Sequence, residues 1–298
     1  MHRHALRQEF RNYNRSVTET GGWPGGHPPS TTPSNGPPPS AATERQPILQ
    51  LRHISKQFGA VQALSDVDFD VYPAEVVALV GDNGAGKSTL VKTIAGINIP
   101  DSGEFIFEGH PVAVHGPRDP VALGISTVYQ DLALCDNLDV VANLYLGREE
   151  LQPAPILLLS EERMEQRARE VLKTLDVKIP NPRNPVAALS GGQRQSVAVA
   201  RSVMWKAKVV LLDEPTAALG VQQTRQVLEL IMRLRSQGLG VVVISHNLAN
   251  VFEVADRIVV LRLGRRVGTF ERKASSEEAI VAAITGAEFG KFQPQAEA

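Results

Sequence analysis

The sequence is poor in cysteine, in long apolar runs and in net charge. Cys135 is the single cysteine among 298 residues, so an intramolecular disulfide framework is excluded, and this usage is typical of a reducing compartment. The longest apolar stretches have the length of buried strands, far below the roughly 20 residues that span a bilayer. A formal net charge of −1 gives no indication of nucleic acid as a partner. We therefore expect a soluble cytoplasmic protein.

The first 45 residues differ from the rest in composition. Gly, Pro, Ser and Thr dominate the stretch from Gly21 to Ser40, which contains too few apolar groups to offset the entropy of ordering it. We predict a disordered tail over residues 1–45 and a short tail over 291–298. The spaced arginines near the start are not followed by an apolar segment, so they do not form a secretory signal. A weak surface anchor, a solvated tail and a misplaced start remain alternatives.

From Ile48 onward, strand and helix patterns alternate, which favours an α/β domain with a mainly parallel sheet. Short apolar runs predict buried strands at Glu75–Val80, Val209–Leu212 and Val241–Ile244. Two strand-like runs around Leu263-Gly264 predict a hairpin. No internal repeat is present, so we expect one copy of this unit.

Several helices follow from capping residues and apolar stripes. Ser160 is predicted to cap a helix whose apolar residues recur on one face. The sequence Ser275-x-x-Glu278 fits a capping box for a last helix that closes at Gly286. A further helix is predicted over Gln193–Met204.

The segment Gly81–Thr89 fits the pattern G-x-x-x-x-G-K-[ST] between a strand and a helix. Glycines let the backbone wrap closely around phosphate oxygens, and the helix N-terminus adds a positive dipole end. Lys87 can then reach the β- and γ-phosphates of ATP, and the Ser88 hydroxyl can ligate Mg²⁺. The predicted nucleotide contacts in this loop are Gly81, Asp82, Asn83, Gly84, Ala85, Gly86, Lys87, Ser88 and Thr89.

Two acidic residues end the apolar strand before Pro215. Asp213 is placed to hold Mg²⁺, and Glu214 to polarise an attacking water as general base. The alternative is a pair of acids in a solvated turn. Together with the loop upstream, the pair predicts an enzyme that hydrolyses MgATP.

A second anion site is predicted at Leu189-Ser190-Gly191-Gly192-Gln193, directly before a helix. Ser190 offers a hydroxyl, and the two glycines offer backbone N–H groups at a positive helix end. Within one chain this site and the loop at Gly81 cannot meet the same γ-phosphate without a large rearrangement. We therefore expect a head-to-tail pair of copies. The segment Leu189–Gln193, called the signature segment below, of each copy then closes over the nucleotide that the other copy binds.

With these three motifs the chain resembles the ABC-type ATPase family, from about Ile48 to Gly286. The resemblance implies a P-loop NTPase core of the RecA-like, ABC type with a mainly parallel sheet. It also implies an N-terminal antiparallel β subdomain and a helical insertion at about 135–189, within a domain over 46–290.

The resemblance also assigns roles to three further residues. Phe58 is similar to the family's aromatic that stacks on adenine, although a core Phe in an edge strand is the alternative. Gln130 resembles the family's glutamine that approaches Mg²⁺ and the attacking water. His246 resembles the histidine that contacts the γ-phosphate and orients Glu214, although a lone structural histidine is the alternative. One position departs from the family pattern: Gly220 stands where the family usually carries an aspartate that links the two ATP sites.

Two stretches, Tyr129–Leu138 and Val141–Arg148, are similar to ATP-binding subunits of bacterial monosaccharide importers of the ribose, xylose and fructose type. That resemblance implies a homodimer beneath two membrane permeases, on the inner face of the cell membrane. It also implies an extracytoplasmic sugar-binding protein that supplies them. An importer for another small solute, such as an amino acid, is one alternative. A soluble ABC ATPase acting on DNA or ribosomes is another, but the long coiled coils or paired units usual there are missing from this sequence.

Overall fold

The structure is a computed structural model that describes residues 45–152 and 158–287. The tails predicted at 1–45 and 291–298 therefore lie outside the described residues, apart from Arg45. The described chain forms two sheets and the helices that pack on them.

The larger sheet has six strands in the order β10-β9-β3-β8-β7-β6. All neighbouring strands run parallel except β9 and β10, which are antiparallel and form the predicted hairpin. The fold class expected from the sequence is thereby confirmed. The strands are β3 (Val76–Val80), β6 (Ile125–Val128), β7 (Val209–Asp213), β8 (Gly240–Ile244), β9 (Arg257–Arg262) and β10 (Arg265–Glu271).

Continuous apolar runs explain why the central strands of this sheet are buried on both faces. Every residue of β3 and of β8 is buried, as expected for strands that are covered on both faces. One face packs against a core that includes Leu90 and Phe69, and the other against a core that includes Leu144 and Leu234. The sheet is therefore a rigid platform for the loops at its edge.

The smaller sheet is antiparallel, in the order β2-β1-β4-β5. It confirms the N-terminal antiparallel subdomain that the family resemblance implies. Its strands are β1 (Leu49–Phe58), β2 (Val61–Val71), β4 (Ser102–Phe107) and β5 (His110–Val112).

Eight α-helices occur within the described ranges. They are α1 (Lys87–Ile94), α2 (Arg118–Leu123), α3 (Val140–Tyr145), α4 (Glu161–Thr174), α5 (Gly191–Val203), α6 (Val221–Ser236), α7 (Leu248–Val254) and α8 (Glu277–Thr285). Within residues 45–152 and 158–287, none of them is long and apolar enough to cross a membrane.

Helices α3, α4 and α5 follow one another between β6 and β7 and share a core with the large sheet. Tyr145 of α3 meets Trp205 edge to face, with 5.5 Å between ring centroids. The guanidinium groups of Arg148 and Arg167 lie 5.1 and 5.2 Å from the same indole ring. Such aromatic and cation–π contacts stabilise the packing around Trp205.

Two of the predicted helix caps are wrong in detail. Ser160 precedes α4, but its side chain makes no cap hydrogen bond because its ψ of 64° differs from the extended value that aims a capping hydroxyl at the helix. The last helix is capped by Ser276, whose hydroxyl accepts from the Ala279 N–H, and not by Ser275. A 3₁₀ turn at Arg272–Ala274 holds Ser275 in extended conformation, which moves the cap by one residue.

Candidate nucleotide-binding and hydrolysis site

The predicted functional segments leave the large sheet at one edge. Strands β7, β8, β3 and β9 are parallel neighbours, so their carboxyl ends lie side by side. In open α/β sheets this edge is where ligands bind. The loop after β3 is the Gly81–Gly86 loop, while Asp213 ends β7, Glu214 follows it directly and His246 follows β8.

Two glycines of the loop stand where no side chain fits. A Cβ on Gly81 would lie 2.2 Å from the Leu261 carbonyl oxygen, and the φ of Gly81 is +150°. A Cβ on Gly86 would lie 2.8 Å from the Ala63 carbonyl oxygen, at a φ of +102°. The loop is thus pressed between β9 and β2 and leads directly into the N-terminus of α1, a position at which backbone N–H groups can bind an anion.

Lys87, the first residue of α1, spans this loop. Its ammonium Nζ donates to the carbonyl oxygens of Gly81 at 2.6 Å and Asp82 at 2.9 Å. Partial burial lowers the pKa of Lys87, and the negative charges of Glu214, Asp82 and Asp213 act in the opposite direction. The ammonium is therefore held at the loop and close to the acidic pair, where the phosphates of a nucleotide would attract it.

The other predicted contacts of this loop surround Lys87. Asp82, Asn83, Gly84 and Ser88 are exposed, whereas Ala85 is buried and donates its N–H to Asp82. Thr89 is half-buried in the first turn of α1. The exposed residues of this loop leave space for a ligand.

Asp213 and Glu214 lie next to Lys87 at the end of β7. Burial raises the pKa of Asp213, and the neighbouring charge of Glu214 raises it further, while Lys92 and Lys87 lower it. Two carboxylates in a half-buried position repel each other, so the site favours an added positive charge. Lys92, on the second turn of α1, was missed by sequence reasoning because nothing in the local pattern distinguishes it from a solvated helix lysine.

Glu214 and His246 are in direct contact. His246 Nδ1 lies 2.9 Å from Glu214 Oε2, and the side chain of Glu214 is only 16% exposed. Glu214 has a φ of +48°, a strained conformation for a residue with a side chain, and its N–H donates to Ile244 of β8 at 3.0 Å. The side chain of His246 is 74% exposed, so it is not the lone structural histidine of the alternative reading.

Phe58 and Gln130 are also exposed. Phe58 ends β1 with 47% of its surface exposed, which excludes the alternative of a core Phe, and Lys56 Nζ lies 5.5 Å from its ring centroid. Gln130 follows β6 by two residues and faces solvent. Both positions are open to a ligand at the sheet edge.

The signature segment forms the N-terminus of α5. Ser190 is the N-cap, its hydroxyl accepts from the Gln193 N–H at 3.3 Å, and the Gln193 side chain accepts from the Ser190 N–H at 3.0 Å. Leu189 is half-buried, Gly191 is exposed, and Gly192 is buried against Gln223 of α6. Within residues 45–152 and 158–287, no hydrogen bond or ion pair joins this segment to the Gly81–Gly86 loop.

Comparison with protein families matches residues 64–217 to the ABC transporter model. The chain belongs to the ABC transporter family. Its nucleotide loop and acidic strand end lie within the matched residues, and members of the family that carry these motifs bind and hydrolyse ATP. The chain is therefore an ABC ATPase.

Curated relatives match about four-fifths of this ABC ATPase. It is 45% identical over 244 residues to the xylose/arabinose import ATP-binding protein XylG of Sulfolobus acidocaldarius, covering 82% of this chain and 96% of that protein. It is 48% identical over 248 residues to the fructose import ATP-binding protein FrcA of Rhizobium meliloti, with 82% and 95% covered. A ribose import ATP-binding protein of Rubrobacter xylanophilus is 42% identical, but the match spans only 46% of its length.

Solved structures of ABC cassettes share the fold. A nucleotide-free ATP-binding cassette from an ABC transporter is 26% identical with a TM-score of 0.68, covering 80% of this chain and 96% of that one. The dimeric structure of the bacterial ABC transporter cassette MJ0796 is 25% identical with a TM-score of 0.63, covering 75% and 98%.

Gly220, where the family resemblance leads one to expect an aspartate, is the residue before α6. Its φ of −72° is an ordinary value, and a Cβ there would meet nothing within 4 Å. Its N–H donates to the Gln223 side chain at 3.3 Å. The backbone therefore does not require glycine, and the loss of the usual side chain is not imposed by the fold.

Proposed function

We propose that this ABC ATPase is the energy-supplying subunit of an importer for a small sugar, in which two copies close head to tail over ATP. The proposal that this site hydrolyses ATP rests on the contact between Glu214 and His246 beside Lys87. The sugar is supported by the names of relatives that are 45% and 48% identical over nearly their whole length.

In the proposed reaction, Glu214 accepts a proton from the attacking water. Its carboxylate is aligned by the His246 ring at 2.9 Å and by a strained backbone that cannot relax without breaking the bond to Ile244. His246 holds that alignment and faces the position of the terminal phosphate. Lys87 positions the β- and γ-phosphates, and the exposed Gln130 completes the wall around the water. Phe58 stacks on the adenine ring.

The donor set fits Mg²⁺ as the accompanying ion. Mg²⁺ binds nucleotides through one or two carboxylates or hydroxyls and through the substrate's own phosphates. Asp213, whose pKa is raised by burial and by Glu214, and the exposed hydroxyl of Ser88 match that requirement, and Gln130 is the third proposed ligand. When bound, Mg²⁺ would supply positive charge that offsets the negative charge of the phosphates.

The dimer is proposed because, among the described residues, no hydrogen bond or ion pair joins the signature segment to the nucleotide loop. Ser190 and the exposed Gly191 present a capped helix N-terminus that can bind the γ-phosphate of a second copy. Each copy then contributes half of both sites, with Leu189–Gln193 opposite the partner's loop.

A mixture of two inactive variants tests this arrangement. Ser190→Arg should abolish activity by filling the anion site, and Lys87→Ala should abolish it by removing the phosphate contact. A mixed dimer contains one site that carries both lesions and one that carries neither, so mixing should restore ATPase activity. The measurement is the steady-state ATPase rate against mixing ratio, with each variant alone as control. A mixture that stays inactive at all ratios counts against the head-to-tail arrangement.

Placing an aspartate at position 220 tests how the two proposed sites are coupled. Gly220→Asp has room for its side chain and creates an N-cap for α6, so the free energy of unfolding should rise by about 0.5 kcal/mol. A carboxylate at the proposed interface between the two copies should also increase the cooperativity of ATP hydrolysis. The measurements are thermal unfolding and the Hill coefficient, with Gly220→Ala as control. Equal Hill coefficients for both variants would show that a side chain here does not couple the sites.

The transport role is tested by uptake. A strain without this chain should lose import of one monosaccharide, the wild-type chain should restore it, and Glu214→Gln should not. Loss of amino-acid uptake instead would favour the alternative substrate class. Unchanged uptake of all small solutes would favour a role outside transport. Dependence on a permease would place the chain at the inner face of the cell membrane.

A further inference from the structure

The turn between β9 and β10 is strained at an exposed leucine. Arg262 pairs with Arg265 across a two-residue loop, in which Leu263 has a φ of +49° and Gly264 a φ of +74°. Hairpin loops with two positive φ values favour Asn-Gly or Asp-Gly because asparagine and aspartate tolerate this conformation. Leu263 is 75% exposed, so packing in the core does not explain its presence.

This turn is wedged between the nucleotide loop and β2. The Gly264 N–H donates to the Ala85 carbonyl at 3.0 Å, and the Gly264 carbonyl accepts from the Ser65 N–H at 2.8 Å. The Gly264 Cα lies 3.4 Å from the position that a Cβ on Gly86 would occupy. Leu263 is therefore fixed at the border of the loop that contacts phosphates.

The order of the strands places the nucleoside on the same side as this turn. Asp213 and Glu214 lie at the carboxyl end of β7 and His246 lies after β8, on one side of β3, whereas the turn after β9 lies on the other side. A nucleotide whose terminal phosphate faces Glu214 must extend its nucleoside towards β9 and the β1–β2 hairpin. Phe58 and Val61 are paired residues at the tip of that hairpin, 47% and 66% exposed.

We propose that Leu263 is a nucleoside-binding residue of this ABC ATPase. Its side chain packs, together with Phe58 and Val61, against the apolar surface of the base and ribose of ATP. The inference rests on the proposed nucleotide site and adds a contact from a segment outside its motifs. This contact would explain why the turn is strained, since strain at a binding residue persists when the surrounding structure and the ligand hold that residue in place.

The test is carried out on dilute protein and distinguishes contacts to the nucleoside from contacts to the phosphates. Leu263→Asn removes the apolar side chain and relieves the strain, so the thermal unfolding midpoint should stay equal or rise. The Kd for ADP should increase by about three- to tenfold, as expected for loss of a partly buried leucine contact. The Kd for pyrophosphate, which has no nucleoside, should change by less than about twofold. ADP is used because it occupies one chain without the γ-phosphate that the second copy binds.

Two matched variants complete the experiment. Leu263→Met keeps an apolar side chain and should retain the wild-type Kd for ADP. Leu151→Asn, at another exposed leucine, should also leave it unchanged. An unchanged ADP affinity in Leu263→Asn would overturn the inference and point to a contact with a second copy. Equal weakening for ADP and pyrophosphate would overturn it in favour of a structural effect on the loop. Wild-type protein that binds neither ligand would instead contradict the nucleotide site itself.

Discussion

Replacing Glu214 by glutamine should lower the ATP turnover rate by about 100-fold or more, because removing a general base has effects of this size. The amide has the same shape and can still accept from His246, but it cannot take a proton from water. ATP affinity should therefore be retained, and a dimer closed over ATP should accumulate. The measurements are the steady-state ATPase rate, an ATP titration and the sedimentation coefficient with ATP.

The control for this variant is Glu162→Gln, which changes an exposed carboxylate in the first turn of α4. It should hydrolyse ATP at the wild-type rate. Continued multiple turnover by Glu214→Gln, at a rate near that of the control, would mean that another group activates the water.

Replacing Lys87 by alanine should weaken ATP binding by about 100-fold, because charge-assisted hydrogen bonds contribute roughly 1.5–3 kcal/mol each. The ammonium is fixed over the loop by the Gly81 and Asp82 carbonyls, so it is already positioned before the phosphates arrive. An equilibrium titration with a fluorescent ATP analogue measures the loss.

Lys173→Ala is the matched control, since Lys173 is an exposed lysine in the last turn of α4. A thermal unfolding curve of Lys87→Ala shows whether the loop itself is intact. An affinity within about threefold of wild type, in a folded variant, would remove Lys87 from the phosphate site.

Motifs that are continuous in the chain could be predicted from the sequence. The Gly81–Thr89 loop and the helix that begins at Lys87 follow from glycine spacing and an apolar run, and the parallel sheet follows from buried strands of five residues. The family match supports the ATPase conclusion. The assigned roles of the individual site residues remain proposals, to be tested by the variants above.

Contacts that depend on tertiary geometry could not be read from the sequence. Glu214 meets His246 only because β7 and β8 pair in one register. One strand of the small sheet could be predicted from the residues at Glu104–Phe107, but its antiparallel arrangement was expected only from the family resemblance. In β1, His53 adopts a φ of +54° and the register shifts, which breaks the alternation of apolar and polar residues. The cap of the last helix was predicted one residue too early, because the sequence offers two adjacent serines and the 3₁₀ turn that precedes them could not be foreseen.

The strand order of the large sheet also determines when the chain can acquire its site during synthesis. The strand before the nucleotide loop, Val76–Val80, has both of its neighbours in the last part of the chain, at Gly240–Ile244 and Arg257–Arg262. Pairings this distant in sequence form late. A growing chain therefore cannot assemble the walls of its nucleotide site until β9 has left the ribosome. An interrupted product that stops before residue 240 would lack nucleotide binding and would expose both edges of its central strand.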